Sequence, residues 1–164
     1  MKILVAGVGN LLRGDDGFGV RVAQRLQQMP LSPNVRVVEV GISGMSLVHE
    51  LMEKYDLCII ADAYQGKGIP GTLYLLTPDP APGLPAEELH QQLVDMHYAD
   101  PSRVLLLAGA LGITPAKVYV VACQPAQLED LTETLTPAVE RAVGEAIIMI
   151  KKIIAEAEAG QGPA

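Results

Sequence analysis

The feature that most constrains this chain is the alternation of short apolar runs with helical repeats along nearly its whole length. ILVAGV (3–8) is apolar throughout and stopped by glycine, the pattern of a buried strand. VRVVEV (35–40), DLCIIADA (56–63), TLYLLTP (72–78) and KVYVVACQP (117–125) follow as four further strands. DLCIIADA is apolar on both faces, as a central parallel strand must be. Between them, Phe18, Val22, Leu26 and Met29 recur at helical spacing until Pro30 and Pro33 close the segment. GISGMS leads into a second helix with an apolar face of Met45, Val48, Met52 and Tyr55. PDPAPGLPA (78–86) reads as an irregular surface connection, EELHQQLVDM (87–96) as a helix broken at HYADPS, and RVLLLAGALG as a short helix ended by Gly112. The last helix starts at an N-cap Thr136 with Pro137 in the first helical position, and its stripe is Val139, Val143, Ile147, Ile150 and Ile154.

Such alternation predicts an α/β fold: a three-layer sandwich with a five-stranded, mostly parallel sheet and helices on both faces. Right-handed crossovers make the first and third strands neighbours and put the second outside the first. Ligands of such sheets bind beyond the carboxyl ends of the strands, at the switch between first and third. At 164 residues the expectation is a single domain over 1–159, with 160–164 as a frayed tail.

A formal charge of −7 argues against a nucleic-acid partner, whose binding rests on neutralising phosphates. No apolar run approaches the ~20 residues of a membrane span, and the chain opens directly on strand-like MKILVAGVG without a signal-peptide pattern, so a soluble cytoplasmic protein with no membrane partner is expected. Cys58 and Cys123 both lie in apolar strands and read as reduced core thiols.

The stretch GVGNLLRGDDGFG (7–19) follows the first strand, where glycine-rich turns commonly cradle phosphate. It departs from both phosphate patterns. A dinucleotide fingerprint needs glycine where Leu12 stands, and a P-loop needs Gly-Lys-Ser/Thr where GDDGFG stands. Asp15 and Asp16 instead suit either helix capping or cation binding. Asp62, at the end of the third strand, lies one strand away, about 5 Å across the sheet, so the carboxylates can converge on a single metal ion. A histidine would turn that site toward transition metals. His49 falls on the polar side of its helix. His90 and His97 are seven residues apart, ~10 Å along a helix, so at most one ligates, and His97 is favoured because it sits where the helical pattern breaks. No G-x-S-x-G elbow supports Ser/His/Asp catalysis.

GVGNLLRGDDGFG followed by VRVAQRL, then GISGMSL, IIADA, a histidine upstream of Pro115, and LTPAVE resembles the hydrogenase maturation proteases over essentially the whole chain. The resemblance implies a cytoplasmic endopeptidase of the aspartyl type. Its substrate would be the [NiFe] hydrogenase large-subunit precursor, from which it removes a C-terminal extension once nickel is bound. It also implies Asp16, Asp62 and His97 as the metal-contacting and catalytic residues. Nickel is then carried by the substrate, with cadmium or zinc as substitutes in the isolated protein. Three positions differ from the family's usual pattern: Asp16 stands where Glu is common, Ile42 where Thr is common, and Val40 where an acid often precedes the G-x-x-G loop, with Glu39 one step earlier. The competing reading is a non-catalytic α/β module that binds a metal or nucleotide at the switch point.

Overall fold

The computed structural model describes residues 1–79 and 100–160. Five strands, β1 (Ile3–Val8), β2 (Val35–Gly41), β3 (Leu57–Ala63), β4 (Leu73–Leu76) and β5 (Lys117–Cys123), form one sheet in the order β2-β1-β3-β5-β4. All pairings are parallel except β4 with β5, which is antiparallel. The sheet is thus the five-stranded, mostly parallel one expected, with β1 and β3 adjacent and β2 outside β1. The β3–β4 connection, residues 64–72, is too short for the helical crossover that a parallel partner requires, which explains the reversed edge strand.

Helices α1 (Phe18–Gln27), α2 (Gly44–Leu51), α3 (Pro101–Ala110) and α4 (Pro137–Glu158) cover the two faces. Strand alternation divides the core. Ile3 and Val5 of β1 and Leu57, Ile59 and Ala61 of β3 pack with Phe18, Val22 and Leu26 of α1 and with the α4 stripe. Leu4, Ala6, Cys58 and Ile60 turn the other way, toward Leu47, Val48 and Leu51 of α2 and Val104, Leu107 and Ala108 of α3. Val139, Val143, Ile147, Ile150 and Ile154 are all buried, as their spacing predicts. The α2 face differs from expectation. Met45 and Met52 are about half exposed (45% and 51%), and the buried stripe is Leu47, Val48 and Leu51, rotated around the helix. The helix ends at Leu51, so Tyr55 reaches the core from the following turn and places no constraint on the helix face.

Two predicted features, the EELHQQLVDM helix and most of PDPAPGLPA, lie outside the described residues, as do His90, His97 and 161–164. The α3 helix starts at Pro101, with the Asp100 carboxylate accepting from the Ser102 N–H at 2.9 Å. Both cysteines are buried free thiols, and burial pushes each up to about 12, so neither is a ready nucleophile.

The glycines of the first loop serve close backbone approach. A Cβ on Gly19 would lie 2.0 Å from the Ala61 carbonyl oxygen and 2.3 Å from that of Val8. The first turn of α1 is therefore pressed directly onto the carboxyl ends of β1 and β3, a packing distance only glycine allows. Gly144, inside α4, faces open space. Gly19→Ala is expected to lose about 3 kcal/mol or more of stability in urea denaturation through overpacking. Gly144→Ala should gain up to about 1 kcal/mol in the same measurement, because alanine is the better helix former.

Candidate active site

At the carboxyl end of the sheet lies a cavity of about 590 Å³, lined among others by Val8, Gly9, Asp16, Gly41, Ile42, Asp62, Tyr64, Leu76 and Asp100. It sits at the switch between β1 and β3, where the topology puts ligands. Asp16 arrives on the turn of 3-10 helix Gly14–Gly17 that joins β1 to α1. Gly9, at φ +132°, makes this possible: a Cβ there would fall 1.8 Å from the Asp16 carbonyl oxygen. One Asp16 carboxylate oxygen accepts from the Asn10 N–H at 3.1 Å, which fixes the side chain against its own loop. Asp62 comes from the carboxyl end of β3, where it pairs in register with Ala122 of β5.

The neighbouring Asp15 does something else. It is fully buried, and its two oxygens accept from the N–H groups of Ala126 (2.8 Å), Gln127 (3.3 Å) and Thr136 (2.7 Å) and from the Thr136 hydroxyl (3.0 Å). Asp15 therefore does not cap the helix it precedes, and none of its donors lies inside a helix. It ties down the entry to α4, a helix 121 residues away, not the helix it precedes. Thr136 is the N-cap residue, yet its side chain makes no capping bond and gives its hydroxyl to Asp15. Backbone bonds from Gly14 to Thr132 (2.8 Å) and from Thr132 to Leu12 (3.0 Å) complete the strap.

The site is electrostatically one-sided. Asp16, Asp62 and Asp100 all line the cavity, and no Lys or Arg is among its described lining residues. Burial pushes the Asp62 carboxyl up to about 7; the Asp16 and Asp100 charges add to this, and the Ala63 N–H opposes it. A carboxyl that exchanges its proton near neutrality, beside a second acid, is suited to acid–base work. A divalent cation in the cavity would reverse the balance by favouring ionised carboxylates. Among the described residues, no three His, Cys, Asp or Glu side chains form a metal-binding group. The third expected contact, His97, lies outside them, as does His90; His49 is exposed on α2, as expected.

Asp100 was not singled out by sequence reasoning. The available signal was Asp-Pro-Ser ahead of an apolar helical run, an N-cap that brings a carboxylate to the mouth of the sheet. Glu39 is exposed and accepts from the Gln24 side chain at 3.0 Å, whereas Val40 is buried on the α2 side of the sheet. The one-residue offset thus keeps this acid out of the cavity lining, as strand alternation requires. Ile42, 48% exposed, is part of that lining.

A family model described as "Hydrogenase maturation protease" matches residues 20–153. The chain belongs to the hydrogenase maturation protease family. Among its relatives, the hydrogenase 2 maturation protease of Escherichia coli K12 is 32% identical over 162 residues, covering 96% of this chain and 95% of that one. The hydrogenase expression/formation protein HupD of Rhodobacter capsulatus is 32% identical over 147 residues, covering 89% of this chain and 68% of the relative. The solved hydrogenase-maturating endopeptidase HybD from E. coli superposes with a TM-score of 0.71 at 31% identity, covering 98% and 94% of the two chains. Family membership makes the chain a peptide-bond hydrolase and decides against the non-catalytic module. Members of the family act on hydrogenase precursors.

The two adjacent aspartates should separate cleanly in stability measurements. Asp15→Ala strands buried N–H donors and is expected to cost about 3 kcal/mol or more, whereas Asp16→Ala should cost no more than about 1 kcal/mol. Asp62 has the opposite sign. Its folded-state proton affinity is raised, from 3.8 to about 7, so the stability it contributes is complete below about 4 and is lost as pH rises through about 7. In chelator-treated protein, Asp62→Asn should abolish that decline, leaving the variant more stable than the parent above pH ~7 by on the order of a few kcal/mol.

Proposed function

We propose that this chain is a cytoplasmic endopeptidase that removes the C-terminal extension of a nickel-loaded [NiFe] hydrogenase large-subunit precursor, with substrate-bound nickel as the recognition signal. The observation that carries the reading is the convergence of Asp16, from the loop after β1, and Asp62, from the end of the adjacent β3, on one cavity without a described basic residue. Such a cavity favours a cation, and Asp16, Asp62 and His97 are the proposed metal contacts. Two carboxylates and an imidazole form a mixed oxygen–nitrogen set suited to nickel, cadmium or zinc and poorly suited to magnesium. Nickel enters as part of the substrate, so the scissile bond is delivered to the acids together with the metal. Peptide hydrolysis needs a group that accepts a proton from water and returns one to the leaving amine. As an ionised carboxylate beside the substrate's metal, Asp16 or Asp62 would act as the base toward water. The buried free thiols Cys58 and Cys123 suit a reducing compartment.

Incubation with nickel-loaded and nickel-free precursor tests this directly. Cleavage is expected only with the loaded form, and equal cleavage of both would refute nickel-directed recognition. Asp16→Ala, Asp62→Ala and His97→Ala should each abolish processing, with His49→Ala and His90→Ala remaining active. A dead His90→Ala beside an active His97→Ala would transfer the role to His90.

The free protein also supplies a test. Ni²⁺ or Cd²⁺ at about 100 times its dissociation constant should stabilise it by about 2.7 kcal/mol, a Tm increase of roughly 5–10 °C. The shift should fade below pH ~6, where imidazole is protonated, and disappear in Asp62→Ala. An equal shift in that variant would place the metal elsewhere.

A further inference from the structure

Two residues beyond Asp62, Tyr64 lines the same cavity and is 49% exposed. Its position is built in from several sides. The Tyr64 N–H donates to the Cys123 carbonyl at 2.8 Å, which extends the β3–β5 ladder by one residue. Its ring meets Tyr74 of β4 edge-to-face, with centroids 5.8 Å apart and planes at 82°. Tyr74 is itself clamped: its hydroxyl accepts from the Gly68 N–H at 2.7 Å and donates to the buried Gln124 side chain at 3.4 Å. A Cβ on Gly68 would come 2.3 Å from that hydroxyl, so the loop between β3 and β4 is folded tightly onto it. None of these contacts is needed to place Asp62, which its own strand pairing already holds.

A half-exposed aromatic on a rigid support, at the edge of a cavity that also has Leu76 and Leu105 in its walls, has the character of a binding anchor. It presents a large apolar surface whose ordering cost has been met before any ligand arrives. We infer that Tyr64 is a specificity-determining residue of the protease, packing its ring against an apolar side chain of the precursor segment next to the scissile bond. The inference rests on the proposed peptidase reading of this cavity and adds a contact to the polypeptide, separate from the metal. Tyr74 acts through Tyr64 as a positioning residue.

The test measures precursor binding and cleavage separately, with nickel-loaded large-subunit precursor as the probe. Parent-protein cleavage reads the proposed function. The effect of Tyr64 variants on the dissociation constant and on KM reads this inference. Tyr64→Ala is expected to weaken binding and raise KM by about tenfold with kcat changed less than about twofold. Tyr64→Phe, which keeps the ring, should restore parental binding, and Tyr74→Phe, which releases the Gly68 and Gln124 contacts, should give an intermediate KM. Circular dichroism and thermal melting confirm that each variant is folded. Unchanged binding and KM in Tyr64→Ala would overturn the inference even if the parent cleaves normally. So would a fall in kcat alone, or a Tyr64→Phe variant as defective as Tyr64→Ala. If the parent binds but does not cleave, the peptidase reading fails while weakened binding by Tyr64→Ala still supports the contact. A parent that neither binds nor cleaves overturns both.

Discussion

A single buried carboxylate holds the two ends of this fold together. Asp15 is fully enclosed, and isolated burial of a charge would be prohibitive. Its oxygens are satisfied by three backbone N–H groups and one hydroxyl, all from residues 126–136. The loop after the first strand is thereby joined to the segment that starts the last helix. Because charge-assisted bonds to backbone donors are short and directional, the position of residue 15 is set to within the geometry of four partners. Asp16 inherits that precision by being next in the chain. The site carboxylate is presented by a loop, yet the loop is as firmly held as an element of the core.

The glycines contribute the second constraint. Gly9 and Gly19 let backbone meet backbone at distances that any side chain would block, drawing the first turn of α1 onto the ends of β1 and β3. This brings the Asp16 carboxylate to the mouth of the sheet, where Asp62 ends its strand and Asp100 caps α3. Burial, and after it mutual repulsion, is the physical cost, and both raise the proton affinity of Asp62. Positive charge beside these carboxylates would favour their ionised form and so act against that cost. In the proposed reading, in which the substrate carries nickel, the relation between these carboxylates and the substrate is an electrostatic one.

Much of this was legible in residue order. The strand runs, the β1–β3 neighbourhood, the buried thiols and the α4 stripe all follow from periodicity and from the handedness of crossovers. The role of α2 was harder to read. The helix and its C-cap offer two overlapping apolar stripes: methionine at positions 45 and 52 marks one, while leucine at 47 and 51 occupies the core. Which stripe turns inward depends on the approach angle to the sheet, a property of the packed layers. Asp100 escaped notice for a related reason, since a helix cap is a local signal and its nearness to Asp62 is not.

What the sequence by itself determined is the set of described strands and helices, their layering and the pair of strand ends that border the cavity. These depend on local periodicity and on chain connectivity, both written in residue order. The resemblance of its motifs also marked Asp16 rather than Asp15 as the site acid. Only the tertiary structure sets the two apart. Residues 15 and 16 are chemically identical and adjacent, and nothing local distinguishes them. The difference lies in what a distant segment, residues 126–136, presents to each side chain: one aspartate meets a cluster of donors and is consumed in holding the fold, and the other faces the cavity.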